Sequence, residues 1–508
     1  MRKGQGLSTA IGRAGHSRAP VLAFLAIFVV LAVLADRTGY EGDDLNSVLP
    51  MLTLDAARAG LVDIYRYDWQ PLSYQIGAAA ARIAGAPWPI FLLPPLAMAL
   101  ALAMLYQLLS RLYGVPLFLF VCLVLLSPEL LYSGLYYNSV ALGYCAAVAA
   151  LLLVHNPTSA ARTVAIGCLL GISILLRLDF VLIAPAMLLL FWMRSGRMTP
   201  AILAGSVAGA IGLAALATGF VRLSELQAIY AFHSTEMAAM ADVGGWNDLA
   251  KAFVASTILS PLGFLYYGVG SFWLLVSLPR RKALQGIALF LALLPALISL
   301  PDILSVKYML PSYVFLPLLG GAIWRQAQDR LGQGGRWVSA GLVAGTLFLS
   351  VAAIDIDNQK PFVSLKLWQT RQIPTHDGAR SWGAYVPQML RLELLSEPDL
   401  TERTGLALAD LVQAMPGRAV VFVGAESAFT PGAAGWRHAM LDLARQGATL
   451  KVETTGLMRI DSEAGGTLWL AREGALVPQH VIDDPATMVF RADDADIMDQ
   501  LSGMLTAL

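Results

Sequence analysis

Charge is what this chain has least of. Asp, Glu, Lys and Arg together make up 14% of its 508 residues, where a soluble domain carries about 25%. The deficit is deepest between residues 20 and 354 and largely disappears after that, so the two regions face different solvents. The 35 basic and 35 acidic residues cancel. No basic patch or stripe appears, which excludes a nucleic-acid partner. Cysteine is scarce too. Cys122, Cys145 and Cys168 all lie in apolar stretches and read as small buried thiols. No disulfide framework is available, even in an oxidising compartment. There is no Walker loop, dinucleotide fingerprint or zinc-ligand spacing, and no internal repeat or low-complexity tract.

What the chain has in abundance is apolar length. A membrane span needs about 20 apolar residues. Candidate spans fall near 20–35, 88–110, 115–133, 137–154, 161–176, 179–193, 200–220, 257–278, 285–300, 308–323 and 337–354. The first follows Arg2, Lys3, Arg13 and Arg18 and ends at Asp36-Arg37 without a small-residue cleavage site, so it reads as a retained signal anchor. With the N-terminus in the cytoplasm, the inner connections hold Arg111, Arg162, Arg194 with Arg197, the Arg280-Arg281-Lys282 triplet, and Arg325, Arg330 and Arg336. That positive-inside bias orients the bundle. The fold class expected is an α-helical polytopic membrane protein of about eleven spans, residues 1–354, followed by a small α/β extracytoplasmic domain, residues 355–508.

Two outer loops are too long to be turns. The first, 36–87, holds helix-like stretches at Leu45–Ala59 and Leu72–Ala84, apolar but too short to cross, as interface helices are. The second, 221–256, carries Tyr230, Phe232 and Trp246 as interface aromatics. Loops of this length are usually functional. After Ile354, strand-like runs at Ala419–Val423, Thr449–Glu453, Thr467–Ala471 and Met488–Arg491 alternate with helix-like runs at Gly405–Met415, Trp436–Gln446 and Asp494–Leu505. That order suggests the α/β domain.

The chemistry-bearing residues cluster just past the first span, at Glu41-Gly42-Asp43-Asp44. Three adjacent carboxylates beside a membrane raise one another's pKa values and are costly to bury together. Asp44 also suits the N-cap of the helix from Leu45. Downstream lies Tyr65-Arg66-Tyr67-Asp68-Trp69-Gln70-Pro71-Leu72-Ser73-Tyr74, where Pro71 opens a helix at the position that favours proline. Arg177-Leu178-Asp179 interrupts an apolar block at a membrane edge. Residues two apart on a helix do not face each other, so Arg177 and Asp179 need other partners, such as water or lipid phosphate. A cation at bilayer depth costs about 2.5–3.5 kcal/mol on insertion scales, and snorkelling to the interface is the bland alternative. Lys307-Tyr308-Met309-Leu310-Pro311 opens the tenth span, with Lys307 either a phosphate partner or an interface anchor. The stretch Thr375–Tyr385 brings Trp382 and Tyr385, whose planes can stack on sugar rings, into what otherwise reads as a linker. Gly171, Gly219 and Gly268 read as close-packing positions.

This layout resembles the GT-C superfamily of polyprenyl-phosphate-sugar-dependent glycosyltransferases, the group of protein O-mannosyltransferases and aminoarabinose transferases. Asp43-Asp44 matches the paired acids of the first outer loop. Gln70-Pro71-Leu72-Ser73-Tyr74 matches the aromatic/Pro-Pro-Leu-Tyr-like segment with Gln in place of the first Pro. Lys307-Tyr308 matches the basic-Tyr start of a late span. The resemblance covers the layout of residues 20–325. It implies an inverting transfer of a sugar from a polyprenyl-phosphate donor to a lipid, glycan or protein acceptor. The surrounding membrane lipids would be partners as well. It implies Asp43 as general base with Asp44 second, and Arg177, Lys307 and Arg66 on the donor phosphate. Tyr65, Gln70, Tyr74, Asp179, Trp382 and Tyr385 would then lie on the sugar or acceptor. The resemblance names no certain cofactor and leaves a divalent metal open. A divalent metal would draw on His233, with Glu236 three residues on and Asp63 or Asp68 from the first loop. A bacterial inner membrane with the C-terminal domain in the periplasm is the implied location. The competing class is a transporter or flippase for a lipid-linked or small solute. It predicts repeated halves and broken helices at the bilayer midplane, whereas no clear repeat appears and the best charged cluster lies outside the membrane.

Overall fold

The structure, a computed structural model, describes chiefly residues 20–33, 71–125, 140–155, 159–177, 316–351, 372–375, 378–381, 400–424, 439–454, 456–472, 474–491 and 497–507, with single residues between. Its helices are α1 (Pro20–Val33), α2 (Pro71–Ala84), α3 (Trp88–Tyr113), α4 (Leu117–Leu125), α5 (Val140–Val154), α6 (Ala160–Leu176), α7 (Leu316–Val351), α8 (Leu400–Ala414), α9 (Gln479–Ile482) and α10 (Ile497–Ala507). The chain packs as two compact units. One holds Met1–Leu34, Pro95–Leu135 and Ser139–Leu394, and the other holds Ala35–Pro94, Tyr136–Asn138 and Leu395–Leu508. The boundary falls inside α3 at Pro94-Pro95, a pair that removes two helical hydrogen bonds.

In the first unit, α3 is long and apolar enough to cross a membrane, while α1, α5 and α6 are shorter apolar helices. They coincide in position with the runs at 20–35, 88–110, 137–154 and 161–176, and among the four α3 alone reaches spanning length. Close packing among them is made by glycine. A Cβ on Gly143 of α5 would come within 2.7 Å of the Phe180 ring. On α6, a Cβ on Gly167 would meet the Ser206 backbone nitrogen at 2.5 Å, and one on Gly205 would meet the Val164 Cα at 2.8 Å. Gly209 approaches Cys168 in the same way, at 3.0 Å. Gly167 and Gly171, like Gly205 and Gly209, are four apart, so small residues stack along both faces and let the backbones touch.

Helix α7 is two helices. Gly332 sits at φ 61° and ψ −140°, a conformation open to glycine alone among common residues. Two contacts prove a fold-back there. The Tyr266 hydroxyl donates to the Gly320 carbonyl at 2.7 Å and also bonds the Ser339 side chain. Those residues would lie about 28 Å apart in a straight helix. Gly335 is also pressed against the Ala327 carbonyl. The chain thus makes a hairpin where the tenth and eleventh spans were expected to be joined. The spans expected at 200–220, 257–278 and 285–300 lie largely outside the described residues.

In the second unit, α2 turns Ser73, Tyr74, Gly77 and Ala78 inward, spaced as one helical face, while Ile83 is 88% exposed. Its 14 residues reach about 21 Å, too short to cross, as expected. The C-terminal part is a mixed sheet ordered β4-β5-β6-β3-β7. Its strands are β3 (Ala419–Val423), β4 (Thr449–Thr454), β5 (Leu457–Asp461), β6 (Thr467–Ala471) and β7 (Met488–Arg491). Strands β6, β3 and β7 are parallel, and β4, β5 and β6 antiparallel. On one face Val421, Leu457, Trp469 and Ala471 cluster with Val481 of α9. On the other, Val420, Phe422, Leu468, Leu470 and Phe490 are buried, as are Leu408, Leu411 and Leu501 of α8 and α10. Burial on both faces explains the unbroken apolar run of β3. Residues 372–375 and 378–381 form a separate antiparallel pair, β1 and β2.

Two glycine substitutions separate these effects. Gly167→Ala forces the α6 backbone from its neighbour and is expected to cost about 1–3 kcal/mol. Gly341→Ala on α7, with nothing within 4 Å, is expected to gain up to about 1 kcal/mol from helix propensity. Thermal unfolding of the full chain in detergent checks both signs.

Candidate functional site

Of the candidate site residues, the structure describes Arg177 and Tyr74. Asp43, Asp44, Tyr65, Arg66, Gln70, Asp179, His233, Lys307, Trp382 and Tyr385 lie outside the described residues, as do Asp63, Asp68 and Glu236. Among the described residues no group of three His, Cys, Asp or Glu gathers that could hold a metal.

Arg177 stands where α6 ends, and the local sequence dictates that end. Ser159 caps the start, its hydroxyl accepting from the Arg162 amide at 3.3 Å, and Thr163 Oγ1 donates back to the Ser159 carbonyl at 3.2 Å. The helix then runs 17 residues, about 25 Å, close to the thickness of a bilayer core. At Arg177 the backbone turns extended, φ −161° and ψ 121°, while its amide still donates to the Ser173 carbonyl. The Phe180 amide then donates to the Arg177 carbonyl at 3.1 Å, which seats the fully buried Phe180 ring on Gly143 of α5. The Arg177 side chain is only 6% exposed. Its charge lies at a helix C-terminus, where the peptide dipoles favour a cation. Arg162 marks the opposite end of the same helix. A guanidinium buried at the end of an apolar helix is a group whose charge calls for polar or anionic partners.

Tyr74 is fully buried in the first turn of α2, beside the equally buried Ser73. In the same compact unit a cavity of about 420 Å³ is bounded by Met51, Ala78 and Arg82 from the first-loop region and by Gly447, Thr449 and Leu450 at the edge strand β4. Sequence reasoning did not single out Arg82, nor Arg445, whose guanidinium lies 5.0 Å from the centre of the Phe91 ring. Nothing local marks either residue; their place depends on first-loop and C-terminal residues folding into one body.

The carboxylates beside Arg445 are perturbed. Burial raises the Asp442 carboxyl, and the negative charge of Asp410 raises it further, while Arg445 and the Gln446 amide, donating at 2.8 Å, oppose the shift. Desolvation also raises Asp410. A carboxyl whose folded pKa lies above its unfolded value contributes stability fully below that unfolded value, and the contribution fades as pH rises through the folded pKa. Asp442→Asn is therefore expected to raise the melting temperature of the full chain at pH 7. The gain should vanish below the ordinary carboxylate range. Paired melts at neutral and acid pH check it.

Apolar helices packed through glycine, and an α/β unit that shares a body with the first-loop residues, make up a fold with a counterpart among solved structures. The structural likeness is to ArnT from Cupriavidus metallidurans. Crystal structures of ArnT bound to undecaprenyl phosphate and in the apo state each match with a TM-score of 0.51 at 15% identity, covering 83% of this chain and 85% of theirs. No family model matches the chain, and no curated protein matches it in sequence.

Proposed function

We propose that this chain is an inverting glycosyltransferase that moves a sugar from a polyprenyl-phosphate donor to an acceptor hydroxyl. The transfer takes place on the extracytoplasmic face of a bacterial inner membrane, in the glycosylation of cell-envelope lipid, glycan or protein. One observation carries the reading: the fold is shared across 83% of the chain with a protein crystallised with undecaprenyl phosphate. The paired acids Asp43-Asp44 and the buried Arg177 at the end of α6 supply the chemistry that such a donor demands. Eleven spans from a cytoplasmic N-terminus would leave the C-terminal domain, residues 355–508, in the periplasm.

The reaction is a single displacement. Asp43 takes the proton of the acceptor hydroxyl, with Asp44 as its second, and the oxygen attacks the anomeric carbon. The bond from that carbon to the phosphate oxygen breaks with inversion, and polyprenyl phosphate departs as a stable anion. No general acid is needed. The demand is for a base and for cations where charge accumulates. Arg177, Lys307 and Arg66 meet the phosphate. Tyr65, Gln70, Tyr74, Asp179, Trp382 and Tyr385 are the polar and aromatic groups assigned to the sugar and acceptor. His233 is the residue to which a divalent metal, if used, would bind.

Purified full-length protein is to be incubated with a panel of polyprenyl-phosphate sugars and acceptors, and release of polyprenyl phosphate measured. Asp43→Asn is expected to lower release by about 10²–10⁴-fold while the chain still inserts and folds. Arg177→Gln is expected to lose on the order of 10²-fold. Full activity of Asp43→Asn removes that residue from the chemistry. Solute flux in sealed vesicles without sugar transfer establishes the transporter class instead.

A further inference from the structure

The α7 hairpin carries two buried donors that find no acceptor among the described residues. Trp324 is 6% exposed, and among the described residues neither its Nε1 nor the buried Nε of Arg336 finds an acceptor. The contacts of Tyr266 with Gly320 and Ser339, and of Gly335 with Ala327, set the antiparallel register of the two arms. In that register Arg336 comes within about one helical turn of the depth of Trp324. The two side chains therefore lie at similar depth, on facing arms, toward the closed end of the hairpin.

An indole N–H and a guanidinium can only donate, so the missing partner is an acceptor. Local charge says that it is an anion. This end of the bundle holds Arg325, Arg330 and Arg336 on the hairpin and Arg111 in the last turn of α3, whose Leu109 and Tyr113 pack against Gly321. The carboxylate on the hairpin, Asp329, is already engaged by Arg325 at 3.1 Å. Beside Arg336 the surface turns apolar: Trp337 is 76% and Val338 60% exposed. An anion flanked by outward-facing apolar side chains is the chemistry of a phospholipid, with the phosphate on the donors and the acyl chains along Trp337 and Val338.

We propose that the closed end of the α7 hairpin is a binding site for the headgroup of an anionic phospholipid, with Trp324 Nε1 and the Arg336 guanidinium as donors to its phosphate. The site is separate from the donor-phosphate site at Arg177. It requires only that the hairpin lie in a bilayer, so it stands or falls apart from glycosyl transfer. The indole and guanidinium planes offer directed donors, which a lysine ammonium cannot replace in kind.

The full chain in detergent is to be titrated with phosphatidylglycerol, phosphatidylcholine or inorganic phosphate, with bound lipid counted by native mass spectrometry. Wild type is expected to retain phosphatidylglycerol over phosphatidylcholine and to be indifferent to inorganic phosphate. Arg336→Gln is expected to bind phosphatidylglycerol about tenfold more weakly. Trp324→Phe keeps the ring, removes only the N–H and is expected to give a several-fold loss, which preserves the test if the arginine variant does not fold. Equal retention of both lipids by wild type overturns the proposal, because water then suffices for the donors. Undiminished phosphatidylglycerol binding in Trp324→Phe and in folded Arg336→Gln overturns it as well. Saturation by inorganic phosphate alone makes the site one for a free anion and overturns the lipid assignment.

Discussion

Hydrocarbon gives a backbone amide no hydrogen-bond partner, so each segment of this chain that crosses a bilayer must close its own bonds within a helix. That constraint shapes the rest. Helices in lipid gain little from burying apolar side chains against each other, since lipid tails are as apolar as leucine. They hold together through close contact instead. Gly143 under Phe180, Gly167 against Ser206 and Gly205 against Val164 are those contacts. They set the distance between helices and so the position of whatever the helix ends carry.

Polar groups follow from the same constraint. They gather where helices stop. Arg177 ends α6, with its backbone leaving helical geometry at that residue, and Trp324 and Arg336 flank the closed end of the α7 hairpin. Arg177 is buried, and among the described residues Trp324 Nε1 and Arg336 Nε find no acceptor. Phosphate sites at the rims, as proposed, would distinguish the bundle from a transporter, whose sites lie between half-helices deep in the bilayer.

Sequence reading succeeded where one periodicity dominated. The apolar runs became α3, α5 and α6, and strands β3, β6 and β7 fall on the residues expected. It missed β5, Leu457–Asp461, because Arg459 and Asp461 interrupt a short apolar run. The fold makes them compatible with a strand by joining the two at 2.8 Å and laying Arg459 over Trp469 on the next strand. It also read Thr375–Tyr385 as a linker or a sugar-stacking segment and did not expect the strand pair β1 and β2, since a hairpin held by backbone bonds need show no apolar pattern. The break in α7 was legible from Arg325, Arg330 and Arg336, but the partnering of Tyr266 with both arms was not, being 54 residues distant from Gly320. For the candidate site, Arg177 was legible from its charge in an apolar block. Arg82 and Arg445 were not, because ordinary surface arginines look the same in one dimension.

The burial of Arg177 bears on mechanism more than its charge does. A snorkelling arginine would keep its guanidinium in water and meet a phosphate screened by solvent, where an ion pair is worth little. A guanidinium already stripped of water has its desolvation met by the fold, partly through the dipole of α6. An arriving phosphate then gains a stronger interaction than at an exposed cation. In the proposed displacement the cost would fall on folding and the benefit on the step in which charge moves onto the leaving oxygen, which is how fixed donors accelerate a reaction. A lysine on a flexible stem, such as Lys307, lacks the planar fork that meets phosphate oxygens two at a time. In the proposed displacement Arg177 therefore orients the phosphate, and Lys307 adds charge.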